Sequence, residues 1–319
     1  MSVIPIRSEA ATRGARMLRT ALGPEIGAWL EDPAVIEVML NPDGRLWVDR
    51  LGLGITDTGA VLSAADGERI IRLVAHHVGA EVHSGAPRVS AELPGTGERF
   101  EGLLPPVVAA PSFAIRKPAG AVFTLADYVA AGIMPAAFAD ALAAAVAARA
   151  NILVAGGTST GKTTLTNALL AEVARTGDRV VLIEDTAELQ CSAADQIQML
   201  TKRTEPAVTM TDLVRDTLRL RPDRIVIGEV RDGSALDLLK AWNTGHPGGL
   251  ATLHANSAAE GLSRLEDLIG EVTQRIPHRA IGQAIDLVIH IARTPGGRRV
   301  SEIVRVTGWG EGGYDLRAA

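Results

Sequence analysis

Cysteine and aromatic residues are scarce in this sequence. Cys191 is the only cysteine among 319 residues, so a single chain can build neither a disulfide framework nor a zinc site of cysteines. This fits a reducing compartment. Aromatic residues make up 3% of the chain, although 47% of it is hydrophobic. The apolar mass is therefore mainly Ala, Val, Leu and Ile, which is typical of helices packed on a parallel sheet and favours an α/β fold over an all-β sandwich.

Long apolar runs and an excess of basic residues are also missing. The alanine-rich segment 137–150 is interrupted by Asp140 and is too short to span a bilayer. The N-terminus lacks the apolar core of a signal peptide. We therefore expect a cytoplasmic protein without a transmembrane segment, which reaches a membrane only through partners. The formal net charge of −5 gives no global basic field, so direct nucleic-acid binding is not predicted.

The length of the chain favours two domains. An Asn-Pro-Asp-Gly turn at 41–44 separates two apolar runs and predicts a hairpin. Alternating segments broken by Gly and Pro follow, which indicates a small α+β domain over 1–118. Residues 119–135 are predicted to be a linker. In 136–319 the apolar runs are continuous rather than alternating, which indicates strands that are buried on both faces, with a hairpin added near the C-terminal end.

A phosphate-binding pattern follows the first of these buried runs. Residues 156–163, GGTSTGKT, fit G-x-x-x-x-G-K-[ST] between a predicted strand and a predicted helix. Eight fitting positions in this setting argue against a chance turn. Lys162 is expected to reach the β- and γ-phosphates of ATP, and the Thr163 hydroxyl is expected to ligate Mg²⁺. The predicted nucleotide-binding residues are Gly156, Gly157, Thr158, Ser159, Thr160, Gly161, Lys162, Thr163 and Thr164.

Acidic residues end two other buried runs. Glu184 and Asp185 close VVLIED, and Glu229 follows RIVIG. The carboxyl ends of parallel strands face the ligand crevice, so these side chains are expected to point toward the γ-phosphate. The predicted Mg²⁺ ligands are Thr163, Glu184, Asp185 and Glu229. The general base for hydrolysis stays open between Glu184 and Glu229, and either acid could instead cap its strand or the next helix.

A histidine ends a further run. His254 follows GGLATL, where a neutral imidazole could report whether the γ-phosphate is present, although a single histidine in such a place is more often structural. No second histidine or acid lies at helical spacing from His254, so metal ligation by it is not expected. His254 thus joins Lys162, Glu184 and Glu229 among the candidate catalytic residues.

Together these segments resemble the hexameric secretion ATPases of type IV secretion, conjugation and type IV pili. LIEDTAEL resembles the family's Asp box, LRLRPDRIVIGEVRD its Walker B region and TGHPGGLATLHANSA its His box. Upstream, VIEVMLNPDGRLWVDRLG and LPGTGERFEGLLPPVVAAPSFAIRKP are similar to the start and the end of its N-terminal domain. Nearly the whole chain is covered, and conjugal transfer ATPases are the most similar subgroup. Gly228-Glu229 replaces the usual aspartate–glutamate pair.

The resemblance implies a RecA-like P-loop ATPase domain preceded by a smaller α+β N-terminal domain, with ATP bound between them in a ring of six copies. By the same resemblance, Arg99, Arg116 and Arg221 match arginines near the phosphates, where a guanidinium would stabilise the transition state. Surface salt bridging is the alternative for each of them. The implied partners are inner-membrane and cytoplasmic components of a conjugation or type IV secretion machine, which would place the protein at the periphery of the inner membrane.

The resemblance implies that ATP hydrolysis drives a domain motion that assembles a pilus or moves substrate through the machine. Alternatives are pilus retraction, a DNA motor or an ATP-sensing scaffold without turnover. The AIRAGR-like segment of retraction motors and the four-cysteine insertion of type II secretion ATPases are missing. A P-loop switch would need an N-K-x-D motif, which is absent, and a small-molecule kinase would not ordinarily carry a whole preceding domain.

Overall fold

The chain divides into two compact units, Met1–Gly120 and Ala121–Ala319. The computed structural model describes the backbone of most of both units, and side chains from residue 16 onward. The described residues are 9–51, 53–94, 96–118, 122–202 and 206–319. Among them, no helix is both long enough and apolar enough to cross a membrane.

In its described residues, the first unit combines two helices with one antiparallel sheet. Its strands run in the order β3-β2-β1-β6-β5-β4 across the sheet. In chain order its described elements are α1 (Glu9–Glu31), β1 (Val35–Leu40), β2 (Arg45–Arg50), β3 (Gly54–Val61), α2 (Ala64–His77), β4 (Arg88–Glu92), β5 (Arg99–Leu103) and β6 (Ser112–Arg116).

The predicted hairpin in this unit is β1 and β2. The two strands pair antiparallel with Leu40 opposite Leu46, and Gly44 adopts a φ of 84° in the turn between them, a conformation that glycine reaches without strain. The strands alternate, because one face of the sheet packs on α2 while the other carries polar residues. Ile70, Ile71 and Val74 of α2 are fully buried in this core.

The second unit is a sheet with helices on both faces. Its strands run in the order β14-β13-β12-β7-β11-β10-β8-β9. In chain order its described elements are α3 (Leu125–Ala130), α4 (Ala136–Ala147), β7 (Ile152–Ala155), α5 (Lys162–Val173), β8 (Val180–Glu184), β9 (Gln196–Leu200), α6 (Met210–Thr217), β10 (Arg224–Ile227), α7 (Ser234–Asn243), β11 (Leu250–Leu253), α8 (Ala258–Gly270), α9 (His278–Ala284), β12 (Leu287–Thr294), β13 (Gly297–Gly310) and β14 (Gly313–Ala318).

The central strands β12, β7, β11, β10, β8 and β9 are mutually parallel. Every residue of β7, β8, β10 and β11 is buried, because helices cover both faces of the sheet. This explains why these runs are continuously apolar in the sequence. The α/β prediction with a smaller α+β domain in front is thereby confirmed. Since parallel strands share one carboxyl edge, the segments that follow β7, β8, β10 and β11 all emerge there.

Two features go beyond the sequence prediction. Within the segment 119–135, for which a linker was predicted, residues 122–135 are described and include α3, whose Leu125 and Tyr128 are buried against the core of the second unit. Residues 119–121 lie outside the described residues, and the division at 118 and 135 stays a prediction. The predicted C-terminal hairpin is β12 and β13, and β14 extends it by one antiparallel strand.

A buried ion pair stabilises the amino edge of the sheet in the second unit. The guanidinium of Arg224, 1% exposed, donates to Asp178 Oδ2 at 2.7 Å and to the carbonyls of Gly248 and Val146 at 3.2 and 2.9 Å. Asp178 also accepts from Thr176 Oγ1 at 2.8 Å and from Arg149. Burial alone would raise the pKa of Asp178, but the hydrogen bonds from Arg224, Thr176 and Arg149 outweigh it and lower that pKa below its usual 3.8.

Replacing Arg224 with Met is expected to lower the free energy of unfolding by about 3 kcal/mol at neutral pH, because it leaves a buried carboxylate short of its main donor. Since the folded-state pKa of Asp178 lies below 3.8, its ionic contribution is present above pH 3.8 and is lost as the pH falls through the folded-state pKa. The difference in the free energy of unfolding between the parent protein and Arg224→Met, measured by urea unfolding, should therefore become smaller in acid.

The matched control is Arg219→Met. Arg219 reaches Asp216 only at 4.0 Å, and its side chain is 87% exposed, so its removal should change stability by less than about 0.5 kcal/mol. An Arg224→Met variant as stable as the Arg219→Met variant would contradict a stabilising role for the buried pair.

Candidate functional site

The loop after β7 has the shape of an anion cradle. Ser159 and Gly161 adopt φ values of 58° and 101°, so the chain curls before α5 begins at Lys162. A β-carbon placed on Gly156 would lie 2.5 Å from the carbonyl oxygen of Ile291, so only glycine fits there. The first N–H groups of α5 have no acceptor within the helix and point toward the loop. The arrangement offers backbone donors to a phosphate.

Lys162 carries the positive charge of this cradle. The residue is 8% exposed, and its Nζ donates to the carbonyls of Gly156 and Gly157 at 3.0 and 2.9 Å. Burial lowers the pKa of Lys162, while the charge of Glu229 partly opposes that effect. No carboxylate oxygen among the described residues lies within 4.0 Å of the ammonium group. A buried cation that has only neutral partners among the described residues is well suited to receive an anion.

His254 lies directly beside that lysine. It follows β11, which pairs with β7 so that Leu253 is opposite Ala155. His254 Nδ1 is 3.5 Å from Lys162 Nζ, and His254 Nε2 is 2.6 Å from Glu229 Oε1. Burial, followed by the charge of Lys162, lowers the pKa of His254. A neutral ring with its proton on Nε2 turns an acceptor, Nδ1, toward the ammonium and an N–H group toward the carboxylate.

Glu229 connects this histidine to the next strand. Its Oε2 accepts from Arg231 Nε at 2.8 Å and also from the terminal nitrogen Nη2. Its Oε1 has the 2.6 Å contact with His254 but no well-aligned hydrogen-bond donor among the described residues. Arg231 also lies 3.6 Å from Asp185 Oδ2. A continuous series of polar contacts therefore runs from Lys162 through His254, Glu229 and Arg231 to Asp185.

Glu184 has a different environment. It is 2% exposed, its Oε1 accepts from the backbone N–H groups of Glu188 and Leu189 at 2.9 and 2.8 Å, and its Oε2 accepts from Gln198 Nε2 at 2.8 Å. Both oxygens are thus engaged within the protein. A β-carbon on Gly228 would lie 2.9 Å from Glu184 Cγ. The glycine that replaces the usual aspartate leaves the space that the Glu184 side chain occupies.

Thr163 contacts one carboxylate, a type of ligand that Mg²⁺ prefers. Its hydroxyl donates to Glu188 Oε2 at 3.2 Å, and Asn167 of the same helix donates to the Glu188 carbonyl at 3.3 Å. Magnesium typically takes one or two protein oxygens together with water and substrate phosphates. Among the described residues, no three His, Cys, Asp or Glu side chains converge as a metal site. The structure therefore brings Thr163 to Glu188 rather than gathering Glu184, Asp185 and Glu229 around it.

Residues 88–304, more than half of the chain, match the family model described as "Type II/IV secretion system protein". The chain belongs to this family. The resemblance predicted from the Asp, Walker B and His boxes is thereby confirmed.

Close relatives of this secretion-system protein cover nearly all of it. It is 51% identical over 308 residues to a probable conjugal transfer protein TrbB of Sinorhizobium fredii, which covers 96% of this chain and 94% of the relative. It is 48% identical over 304 residues to the conjugal transfer protein TrbB of Rhizobium radiobacter, covering 95% and 93%. The type IV secretion system protein PtlH of Bordetella pertussis is 34% identical over 312 residues, covering 86% and 91%. The predicted likeness to conjugal transfer proteins is confirmed.

Solved structures support the fold of this family member. The pilus retraction motor PilT with bound ADP superposes with a TM-score of 0.64 at 20% identity, covering 95% of this chain and 82% of that one. The ATPase DotB of Legionella pneumophila superposes with a TM-score of 0.63 at 20% identity, covering 96% of this chain and 83% of that one. At this identity the likeness concerns the fold alone.

Two of the three predicted arginines belong to the first unit and one belongs to the second. In the first unit, Arg99 and Arg116 are register partners on β5 and β6 and therefore share one face of the sheet, the face that also carries Glu37 opposite Arg116. In the second unit, Arg221 precedes β10 and so lies at the amino edge of the sheet, whereas the phosphate-binding loop is at the carboxyl edge. Its assigned role near the phosphates stays a prediction.

Several contacts of the site were not predicted from the sequence. Glu188 and Arg231 were visible beside the acidic runs, but nothing in the sequence indicated that they contact Thr163 and Glu229. Gln198 lies on β9, which has an alternating pattern and was not predicted as a strand. Arg298, in the hairpin between β12 and β13, also reaches the loop. Because Arg298 lies more than 130 residues from the motif in the sequence, no local pattern indicated that it would contact the loop.

Proposed function

We propose that this protein is a Mg²⁺-dependent ATP hydrolase that works as a ring of six copies and powers conjugative transfer or type IV secretion, or assembly of the associated pilus. The observation that carries the proposal is the series of contacts Lys162, His254 and Glu229 beside a phosphate-binding loop. It joins a phosphate-binding cation to a carboxylate that could accept a proton, across neighbouring parallel strands.

In this mechanism Gly156, Gly157, Thr158, Ser159, Thr160, Gly161 and Thr164 line the phosphates with backbone N–H groups, and Lys162 gives up its two carbonyl acceptors to bind them. Thr163 and Glu188 would hold Mg²⁺. When bound, Mg²⁺ supplies positive charge that neutralises the phosphate oxygens. The loop fits this substrate because it provides donors and a cation whose only described partners at hydrogen-bonding distance, besides the His254 ring, are carbonyl oxygens.

Glu229 is proposed as the general base, which orients a water molecule and accepts its proton. One difference supports Glu229 over Glu184. Both oxygens of Glu184 already accept hydrogen bonds from the chain, whereas Glu229 Oε1 faces His254. His254 would hold Glu229 in place and, through Lys162, sense an arriving phosphate. Glu184 is proposed to position the 185–189 segment, and with it Asp185 and Glu188.

The two TrbB relatives are named conjugal transfer proteins, which supports a place in such a machine, with partner subunits that hold this protein at the cytoplasmic side of the inner membrane. Arg99 and Arg116 are proposed to act on phosphates from the N-terminal domain. Arg221 lies at the edge of the sheet away from its own loop, about 13 Å of strand away, so we propose that it acts on nucleotide bound by a neighbouring copy.

The proposed function can be tested by asking whether ATP turnover depends on assembly of the ring. ATPase activity would be measured over a range of protein concentrations with Mg²⁺ and ATP, with light scattering on the same samples. The specific activity is expected to rise as a six-subunit species appears, because arginines of one copy complete the site of another. Tight ATP binding by monomers without turnover would instead favour an ATP-sensing scaffold, and a constant specific activity across the range would contradict a shared site.

A further inference from the structure

The hairpin between β12 and β13 places an arginine against the phosphate-binding loop. A β-carbon on Gly161 would lie 3.2 Å from Arg298 Cδ and 3.4 Å from Arg298 Nε. Gly161 immediately precedes α5 and has no side chain, so the arginine stem packs over the backbone where the helix starts. Ile291 of the neighbouring strand contacts the same loop through its carbonyl group, beside Gly156. The hairpin therefore forms one wall of the loop.

The charge of Arg298 is uncompensated in this position. No carboxylate oxygen among the described residues lies within 4.0 Å of it. Its register partner on β12 is Arg293, and like charges directly opposite in an antiparallel pair repel each other. The positive end of α5 and the ammonium of Lys162 lie on the same side. Arg298, Lys162 and the positive end of α5 thus place three sources of positive potential at one loop, which favours binding of an anion there.

The sheet order decides which part of a nucleotide Arg298 would meet. Strand β7 lies between β11 and β12, so His254 and Glu229, which follow β11 and β10, are on one side of the loop. The β12–β13 hairpin is on the other side. Glu229 is the proposed base at the terminal phosphate. Arg298, on the other side of the loop, would therefore contact the phosphates nearer the nucleoside.

We propose that Arg298 is a nucleotide-binding residue that pairs with a phosphate shared by ADP and ATP, on the side of the loop away from Glu229. The inference rests on the proposed function, since it concerns the same site. A guanidinium matches phosphate oxygens with two parallel N–H donors. Binding of the anion would also relieve the repulsion between Arg298 and Arg293. Arg298 would thus contribute to affinity rather than to the hydrolytic step.

Calorimetry can test this role by measuring the binding of ADP and of a non-hydrolysable ATP analogue, each with Mg²⁺. The variants to compare with the parent protein are Arg298→Ala, Arg298→Lys and Arg299→Ala. Arg299 is the matched control, because its register partner is Ala292 and its side chain alternates to the other face of the hairpin. We expect Arg298→Ala to raise the Kd of both nucleotides by about tenfold. Arg298→Lys should lose less affinity than Arg298→Ala, and the Kd values of Arg299→Ala should stay within about twofold of those of the parent protein.

Thermal melting without nucleotide separates binding from structure. Loss of one of two opposed arginines should leave the melting temperature of Arg298→Ala unchanged or raise it, whereas a structural arginine would lower it on removal. An unchanged Kd for Arg298→Ala, or a loss confined to the ATP analogue, would overturn the inference. If instead the parent protein bound neither nucleotide, or Lys162→Ala bound both as tightly as the parent, the proposed function itself would fail.

Discussion

Replacing Glu229 with Gln is expected to reduce ATP turnover by about 10²- to 10⁴-fold, the range that a general base contributes, while ATP binding persists. Gln keeps the size of the side chain, and its amide oxygen can still accept from Arg231 Nε, which lies 2.8 Å from the carboxylate. Its NH₂ group would then face His254 Nε2, which lies 2.6 Å from the carboxylate and can accept once the ring proton is on Nδ1. Gln cannot accept the proton of an attacking water. Steady-state phosphate release, with the Kd for ATP measured in parallel, separates loss of chemistry from loss of binding.

Glu184→Gln is the matched comparison, since it makes the same change at the end of the neighbouring strand β8. Its Oε1 could still accept from the N–H groups of Glu188 and Leu189, and Gln198 could rotate its amide to accommodate the new donor. We expect a much smaller loss of turnover than for Glu229→Gln. If Glu229→Gln hydrolysed ATP at the parent rate and Glu184→Gln did not, the general base would be Glu184.

Removal of the loop lysine is the second prediction with a large effect. Lys162→Ala should weaken binding of ADP and ATP by roughly 30- to 150-fold, because a hydrogen bond to a charged group contributes about 2–3 kcal/mol. Lys162 is 8% exposed and its ammonium donates to carbonyl groups, so a bound phosphate would replace neutral partners by an ionic one. Titration of a fluorescent ADP analogue measures the change directly.

The control for this variant is Lys240→Ala on α7. Lys240 is 61% exposed and 3.7 Å from Asp237, so its loss should leave nucleotide affinity unaltered. Circular dichroism of Lys162→Ala would verify that the loop variant is folded. A folded Lys162→Ala protein that binds ADP as tightly as the parent would show that nucleotide does not bind at this loop.

The structure also relates an unusual feature of the sequence to packing. The family's usual acidic pair at the end of β10 is Gly228-Glu229 here, and the sequence alone offered no reason for the glycine. A β-carbon at position 228 would lie 2.9 Å from Glu184 Cγ and 3.2 Å from its Oε1. Glu184 and Gly228 therefore form a matched pair across β8 and β10, in which the glutamate occupies the space beside the glycine.

The strands and the loop motif could be predicted because their signals are local. A run such as Ile152 to Ala155 is continuously apolar since both faces of a parallel strand are buried, and the glycines of GGTSTGKT are required by the backbone of the loop itself. The edge strand β9 was missed, because three of its five residues are exposed and its pattern is weak.

The sequence by itself determined the family, the α/β class and the phosphate-binding loop with Lys162 and Thr163, because each depends on residues that are neighbours in the chain. Only the tertiary structure decided the partners of those residues. Strand order brings His254 between Lys162 and Glu229, and it places Arg298 at Gly161 from the far end of the chain. The order of parallel strands is set by how the connecting helices pack, and no local pattern of residues encodes it.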